Sequence, residues 1–258
     1  MADVVVSALE QKIEDLFEYR RFPEIYQMAK IEGGQIKNLH HKLKSLQTSI
    51  YMLDKHLEEN WELDEGVMRD CWQDIYTELG NFGIPSDQAS EYCAHIKRYE
   101  KHEKQLRQNI LPFKYKMEYF YFYKSCDVKL QRRLIFEQLP QVKSLFRLSE
   151  WRWFDLITEI NDDVEDVFED LETINGNSFL IGLIFHGKER TKARFEEFIN
   201  TIESANENFD LHKSRWSERI YEMTKTNIAL TRDLLHQNLD TFGAEDAGKS
   251  LLFKYLKQ

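Results

Sequence analysis

The sequence is poor in the residues that interrupt helices. Four prolines and ten glycines are spread over 258 residues, which leaves too few turn residues for a protein built mainly of β-sheet. Leu, Glu, Lys, Gln and Ile are abundant instead, and these residues are good helix formers or tolerated in helices. The expected fold class is therefore all-α, in a chain long enough to bury a substantial core.

Cysteines and long apolar runs are also scarce. Cys71, Cys93 and Cys126 are odd in number and widely spaced, which argues against a disulfide framework and predicts reduced thiols. No apolar run approaches the roughly 18 residues typical of a membrane-spanning helix, and the first residues lack the basic start of a signal peptide. We therefore expect a cytoplasmic protein, with a nuclear location as the alternative.

The third shortage is positive charge. The formal net charge is −10 at pH 7. Nucleic acids and anionic membrane surfaces both attract basic proteins, so an acidic chain argues against either as a partner. An acidic chain suits the binding of basic peptide segments instead.

Apolar residues at positions i, i+3 and i+4 recur along the whole chain and predict helices. Breaks are expected where proline or glycine occurs, as at Pro112 and at 80–87. The last fifteen residues, 244–258, begin small and polar and are predicted to form a tail. The predicted helices cover approximately 4–20, 23–31, 36–60, 65–80, 86–110, 113–137, 140–158, 162–173, 178–205, 209–223 and 227–241.

Asp162, Asp163 and Asp166 form a D-D-x-x-D pattern. Isoprenoid synthases use such a cluster to hold magnesium and a diphosphate, because hard cations prefer several carboxylate oxygens. An acidic first helical turn after a capping Asn161 explains the same residues without a ligand. The sequence offers no second acidic cluster, so we expect no enzyme, no cofactor and no metal site here.

Two further patterns allow a structural and a functional interpretation. His95 and His102 are seven residues apart without other metal-ligand residues at suitable spacing, and we expect them to be solvated surface residues. The segment 114–125 holds six aromatic residues in nine positions, 115 to 123. Such a stripe usually fills a core, although an exposed minority can line a peptide groove.

The segment 224–242, TKTNIALTRDLLHQNLDTF, resembles the last helix of 14-3-3 proteins. These are dimeric all-helical adaptors that bind phosphoserine or phosphothreonine peptides. Phe242 stands where the family has tryptophan. The residues that match the family's pattern are Leu230, Leu234, Leu235, Asn238 and Leu239.

Two other segments carry the same resemblance. Residues 114–122 are similar to a family segment in which Lys114, Lys116 and Tyr119 are shared, and residues 9–30 are similar to the segment that supplies the family's dimer contact. The resemblance implies a bundle of about nine antiparallel helices with a concave peptide-binding groove. It also implies a homodimer and a single domain over 1–243, with an insertion around 138–172.

The resemblance further implies the binding residues. Leu230, Leu234 and Asn238 lie four residues apart and are expected on one helix face, where the Asn238 amide can bond a peptide backbone. The family's phosphate-binding Arg and Tyr fall at Tyr121 and Phe122, so the phosphate clamp is degraded. The complete groove set is Lys114, Tyr121, Phe122, Leu230, Leu234, Asn238 and Phe242, with Lys42, Lys44 and Arg152 as candidate phosphate contacts.

The expected function is a non-catalytic adaptor that binds phosphorylated segments of partner proteins. The basic, apolar end of the chain is expected to fold back into the groove as a built-in ligand, with Ser250 as a candidate phosphorylation site. Two alternatives stay open. One is a helical scaffold dimer that binds unmodified partners, and the other is a magnesium-dependent enzyme that acts on diphosphates.

Overall fold

The structure is a computed structural model that describes residues 2–145, 147–208 and 215–257. These residues form α-helices and three short 3-10 helices and include no β-strand, which confirms the predicted all-α class. The α-helices are α1 (Ala2–Tyr19), α2 (Phe22–Met28), α3 (Gly33–Glu59), α4 (Glu65–Asn81), α5 (Ser86–Tyr92), α6 (Ala94–Leu106), α7 (Met117–Lys124), α8 (Cys126–Gln138), α9 (Pro140–Leu145), α10 (Arg152–Glu165), α11 (Ser178–His186), α12 (Lys188–Glu207), α13 (Arg215–Thr241), α14 (Ala244–Lys249) and α15 (Leu251–Leu256).

The chain divides into two compact units. The first comprises Met1–His56, Leu63–Ile96 and Asp127–Leu148, and the second comprises Leu57–Glu62, Lys97–Cys126 and Ser149–Gln258. The boundary divides the insertion expected around 138–172, and the tail belongs to the second unit. A single domain over 1–243 stays a prediction, and each unit is described by itself.

The first unit has an apolar core that is crossed by a ladder of side-chain amides. Phe17 and Phe22 are fully buried, and their ring centroids lie 5.1 Å apart. Gln47 Nε2 donates to Asp127 Oδ2 at 2.8 Å, and Gln131 Nε2 donates to Gln47 Oε1 at 2.8 Å. These bonds satisfy buried polar groups that would otherwise cost free energy of folding.

The second unit is built around α10. This helix contacts α7, α11, α12 and α13, and its residues from Phe154 to Ile160 are all buried. When a helix is covered on every side, its polar side chains need hydrogen-bond partners within the protein. Thr231 Oγ1 of α13 therefore bonds Asn161 Oδ1 at 3.0 Å between the two packed helices.

Several predicted helices are divided by turns. The segment 86–110 holds α5 and α6, which meet at Cys93, and the segment 113–137 holds α7 and α8. Gly187, at φ 79°, separates α11 from α12 inside the predicted helix 178–205, because its positive φ suits glycine. These breaks give fifteen α-helices in the described part of the chain, more than the number that the 14-3-3 resemblance implies.

Two expected breaks are instead continuous helix. α10 crosses the break expected between residues 158 and 162, so Asn161 lies inside the helix and does not cap it. α13 continues through the break expected after residue 223. The predicted helix start at 209 lies outside the described residues. In both cases the buried face of the helix outweighs weak local stop signals.

The described helices differ from a membrane-spanning helix in length or in hydropathy. None of them is both long enough and apolar enough to cross a membrane. Cys71, Cys93 and Cys126 are free and buried.

Candidate functional site

The four groove residues predicted on α13 and directly after it do not form one exposed ridge. Leu230 is 57% exposed and Leu234 is half-buried, whereas Asn238 and Phe242 are 6% and 3% exposed. Asn238 Nδ2 donates to the Val164 carbonyl of α10 at 2.6 Å. Residues four apart rotate by about 40° around a helix, and this drift carries the later positions into the core. The prediction that Asn238 and Phe242 line an open groove is therefore corrected.

The predicted groove residues on α7 are also divided between core and surface. Tyr121 is fully buried and stacks at 6.3 Å on Phe198, so its assignment to an open groove is corrected. Phe122 is half-buried against the core of the second unit. Lys114, in a 3-10 helix that precedes α7, is exposed. Only Lys114 of these three presents a charged group to solvent.

The candidate phosphate contacts are engaged by other side chains. In the first unit, Lys44 Nζ lies 2.8 Å from Glu14 Oε1, and Lys42 Nζ lies 5.8 Å from the centroid of the Phe82 ring. In the second unit, Arg152 forms an ion pair with Glu118. The sequence could not reveal these partners, since none of them is a close neighbour in the chain.

A buried network occupies the position of the aspartate-rich motif. Asp163 Oδ2 accepts hydrogen bonds from Tyr121 OH and from the Ser178 backbone N–H, both at 2.7 Å, and Asp163 Oδ1 is paired with Lys124. Burial alone would lower the pKa of Lys124, yet the negative charges of Asp163, Glu159 and Asp170 raise it well above its ordinary value. The Lys124 ammonium therefore stays charged at neutral pH.

The NGN turn at 175–177 extends this network to the start of α11. Asn177 Nδ2 donates to the Asp163 carbonyl and to Asp170 Oδ2, each at 2.7 Å. Its Oδ1 accepts from the Leu180 N–H at 2.8 Å and caps α11. We call this group the Asp163 network: Tyr121, Lys124, Asp163, Asp170, Asn175 and Asn177.

The three aspartates of the motif do not converge on one point. Asp163 is committed to the network, and all three lie at the end of α10 rather than in an acidic first turn, which corrects the capping interpretation. Partial removal from water, followed by the negative charges of Asp170 and Asp162, raises the pKa of Asp166 to about 7. Within the described residues, no group of three or more His, Cys, Asp or Glu side chains is placed to hold a metal ion.

His102 is buried, which corrects its prediction as a surface residue. It is 4% exposed, and burial, followed by the positive charges of Arg98 and Lys101, lowers its pKa to about 4. His95, in the first unit, is half-buried. The aromatic rings around His102, at centroid distances of 4.9 to 6.1 Å, belong to Tyr115, Tyr119, Phe120 and Tyr123.

A surface cleft of about 280 Å³ lies beside Phe113 in the second unit. One wall comes from the segment before α7, and the other comes from the end of α11 and the first turn of α12. The Phe113 ring stacks on the His186 ring at 4.3 Å with an interplanar angle of 28°. We call it the Phe113 cleft; its lining residues are Asn109, Leu111, Phe113, Lys114, His186 and Arg190.

Among the described residues, the lining of the Phe113 cleft includes Lys114 and Arg190 and no carboxylate. Lys114 Nζ donates to the Asn109 carbonyl at 3.2 Å, Arg190 is exposed, and neither has an ion pair within the part of the chain that the structure describes. Partial burial and the positive charges of Arg190 and Arg194 lower the pKa of His186. Burial is the first cause of this shift, and the contribution of the two arginines agrees with a local positive potential, which attracts anions.

Phe113 is held in place by two contacts behind the cleft. Arg194 donates to the carbonyls of Phe113 and Tyr115 at 3.0 and 2.7 Å, and its guanidinium lies 4.1 Å from the Phe113 ring centroid. Gly182 of α11 faces the same ring, and a Cβ atom there would lie only 2.6 Å from Phe113 Cζ. The absence of a side chain at position 182 therefore lets the ring approach α11.

Most of the Phe113 cleft was missed at the level of sequence. Lys114 was predicted as a binding residue, whereas His186, Arg190 and Arg194 were not. A usable signal was present, because the stretch HGKERTKAR at 186–194 places five His, Lys or Arg residues in nine positions of an acidic chain. Such a local reversal of charge indicates an anion-binding surface.

The C-terminal segment folds back onto the second unit, as two short helices rather than as an extended peptide. Leu252 of α15 is 2% exposed and packs with Leu106, Ile174 and Ile181. Ser250 is fully buried, and its Oγ accepts from the Phe253 N–H at 3.3 Å to cap α15. A kinase can reach Ser250 only after these helices detach. Ala247 of α14 packs against the core cluster that contains Phe242, and the seating of the tail in a groove stays a prediction.

Comparisons of the chain with protein-family models, with curated proteins and with solved structures find no match.

Proposed function

We propose that the protein is a non-catalytic adaptor that binds phosphorylated segments of partner proteins in the Phe113 cleft. The observation that carries the proposal is the group of unmatched cations, Lys114 and Arg190, beside His186 in a chain of net charge −10. A phosphoserine or phosphothreonine brings a charge of roughly −1.5 to −2 and three acceptor oxygens. An arginine can bond two of those oxygens at once.

The size of the cleft favours a side chain over a free cofactor. Pockets for drug-sized molecules usually measure about 300 to 1,000 Å³, and this cleft lies just below that range at about 280 Å³. A phosphorylated side chain needs less space, and the Phe113 ring offers an apolar surface for the residue beside it. The rest of the peptide would lie outside the cleft.

The proposal includes the fold that the resemblance implies, a 14-3-3-like helical bundle. Lys114 belongs both to a segment that resembles 14-3-3 proteins and to the Phe113 cleft. In that relationship the phosphate would be held by Lys114 with Arg190, instead of by the clamp that Tyr121 and Phe122 have lost. Homodimer formation, which the resemblance implies, and a cytoplasmic location, which the cysteines and the first residues led us to expect, belong to the same proposal.

The test is a binding titration with fluorescein-labelled peptides, each made with phosphoserine and with unmodified serine, followed by fluorescence anisotropy. We expect the phosphorylated forms to bind and the unmodified forms to bind at least tenfold more weakly. Arg190→Glu should weaken phosphopeptide binding by at least tenfold, about 1.4 kcal/mol. Its stability should stay within about 0.5 kcal/mol of wild type, because Arg190 is an exposed surface residue.

Lys225→Glu is the matched control, since it makes the same charge reversal at an exposed position of α13. It should leave the phosphopeptide affinity within twofold of wild type. Equal binding of both peptide forms would instead favour a scaffold for unmodified partners. Binding of inorganic diphosphate that requires magnesium would favour the enzyme, and either result would overturn the proposal.

A further inference from the structure

The two C-terminal helices, α14 and α15, are attached beside the Phe113 cleft by a small apolar cluster. Leu252 is inserted among Leu106, Ile174 and Ile181, and all four side chains are buried. The Tyr255 ring stacks on Trp61, with centroids 4.7 Å apart and planes 3° apart. Leu251 and Leu256 also pack against this cluster and Ser250 is fully buried, so the C-terminal helices make a specific contact with the rest of the second unit.

This cluster shares residues with the cleft. Leu111 and Phe113 pack against the cluster that holds Leu252, and both line the cleft. The C-terminal helices also contact the chain beside the opposite wall. The ring centroids of Phe253 in α15 and of Phe185 lie 5.5 Å apart, and Phe185 directly precedes His186. The C-terminal helices therefore share an apolar cluster with one wall and contact the residue next to His186 in the other.

The C-terminal helices do not fill the cleft. Every residue that lines it lies within 109–114 or 186–190, and none of the described C-terminal positions is among them. The basic C-terminal residues Lys254 and Lys257 also carry the same sign of charge as Lys114 and Arg190. A built-in ligand for a cationic cleft would need negative charge instead.

We infer that α14 and α15 regulate the cleft as a positioning element. When they are docked, they hold Phe113 and His186 at the spacing that binds an anion. When they undock, the affinity of the cleft for the anion falls. This inference rests on the proposed function. It reverses the direction expected of an autoinhibitory tail, whose removal would raise affinity. The coupling is physical, since a cavity behind Phe113 would let the ring move away from His186.

The test compares Leu252→Glu with Gly248→Glu in the full chain. Glutamate cannot stay buried among Leu106, Ile174 and Ile181, so the first variant undocks the helices. Gly248 is exposed, and a side chain there meets no atom within 4 Å, so the second variant adds the same charge without undocking. We expect Leu252→Glu to weaken phosphoserine-peptide binding at least fivefold and Gly248→Glu to change it less than twofold.

Hydrogen exchange provides the second measurement. In Leu252→Glu we expect faster exchange in 244–257 and also in 109–114 and 178–186. Faster exchange in 244–257 alone, or a peptide affinity that is unchanged or tighter, would overturn the inference. If the wild-type chain fails to bind the phosphopeptide, the proposed function fails, and the exchange at 109–114 still decides whether the C-terminal helices position the cleft.

Discussion

The Asp163 network and the Phe113 cleft are two charged sites of the second unit, and they differ in whether their charged groups have partners in the protein. In the network, the Asp163 carboxylate is buried and accepts from Lys124, from the Tyr121 hydroxyl and from the Ser178 N–H. In the cleft, Arg190 is exposed and makes no ion pair within the described residues.

The difference separates charges that hold the fold together from charges that are available to a ligand. A buried ion whose partners are all protein groups gains nothing from a ligand and loses much when a partner is removed. An exposed cation without a carboxylate contributes little to stability, and it keeps its charge for an incoming anion. The number of charged residues in a site is therefore a poorer guide to function than their pairing.

The largest effect is expected for Asp163→Ala. The substitution leaves the Lys124 ammonium, the Tyr121 hydroxyl and the Ser178 N–H without their acceptor, and breaking a buried ion pair from one side costs about 3–5 kcal/mol. The free energy of unfolding, measured by urea denaturation, should fall by that amount. Arg190→Ala, at the cleft, should change it by less than about 0.5 kcal/mol.

A double-mutant cycle sharpens this result. Lys124→Met combined with Asp163→Leu removes both charges and replaces them with apolar side chains, so the pair should cost clearly less than the sum of the two single substitutions. Additive losses would mean that Lys124 and Asp163 act independently. In that case the network would not be a paired system, and the comparison with the cleft would lose its basis.

The salt concentration should affect the phosphopeptide affinity of the cleft more than the stability contributed by the Asp163 network. The Debye length falls from about 10 Å at 0.1 M salt to about 3 Å at 1 M, so exposed charges are screened far more than buried ones. We expect phosphopeptide affinity to fall roughly tenfold between 0.05 and 0.5 M NaCl. The stability difference between wild type and Asp163→Ala should change little over the same range. A salt-independent affinity would place the peptide somewhere other than the cationic cleft.

The all-α class and the first four helices could be predicted from the sequence, because apolar spacing and low glycine and proline content act locally. Predicted helices at 36–60 and 65–80 match α3 and α4 within a few residues, and α4 begins at an ordinary cap, where Asp64 Oδ1 accepts from the Gly66 N–H at 2.7 Å. The path of α10 could not be predicted in the same way. Its continuation past Asn161 depends on burial by four other helices, which is a tertiary effect.

The candidate site was less predictable for a related reason. Asn238 lies four residues after Leu234, as expected for the groove face of a helix. Only the packing of α13 on α10 reveals that its amide donates to the Val164 carbonyl instead. Arg190 and Lys114 are 76 positions apart in the chain, and the folding of α11 and α12 brings them to one cleft. A sequence can show an excess of positive charge at 186–194, but it cannot show which charges lack a partner.

Asp166, an acid at the edge of the Asp163 network, is expected to make stability depend on pH. Its pKa is raised to about 7 from an ordinary value of 3.8. The folded state therefore keeps this proton between pH 3.8 and 7, whereas the unfolded state has released it. The group's contribution to stability is greatest below pH 3.8 and is lost as the pH rises through 7. At pH 8 the charged carboxylate destabilises the fold.

Asp166→Asn should consequently raise the midpoint of thermal unfolding at pH 8, and the gain should shrink toward zero as the pH falls from 7 to 4. Asp240→Asn, at an exposed position of α13, is the control and should follow the wild-type pH profile. A gain that is the same at pH 4 and pH 8 would mean that the amide acts through packing or hydrogen bonding. A gain that comes from removing the charge requires the pH dependence, because burial, followed by the negative charges of Asp170 and Asp162, penalises Asp166 only while it is ionised.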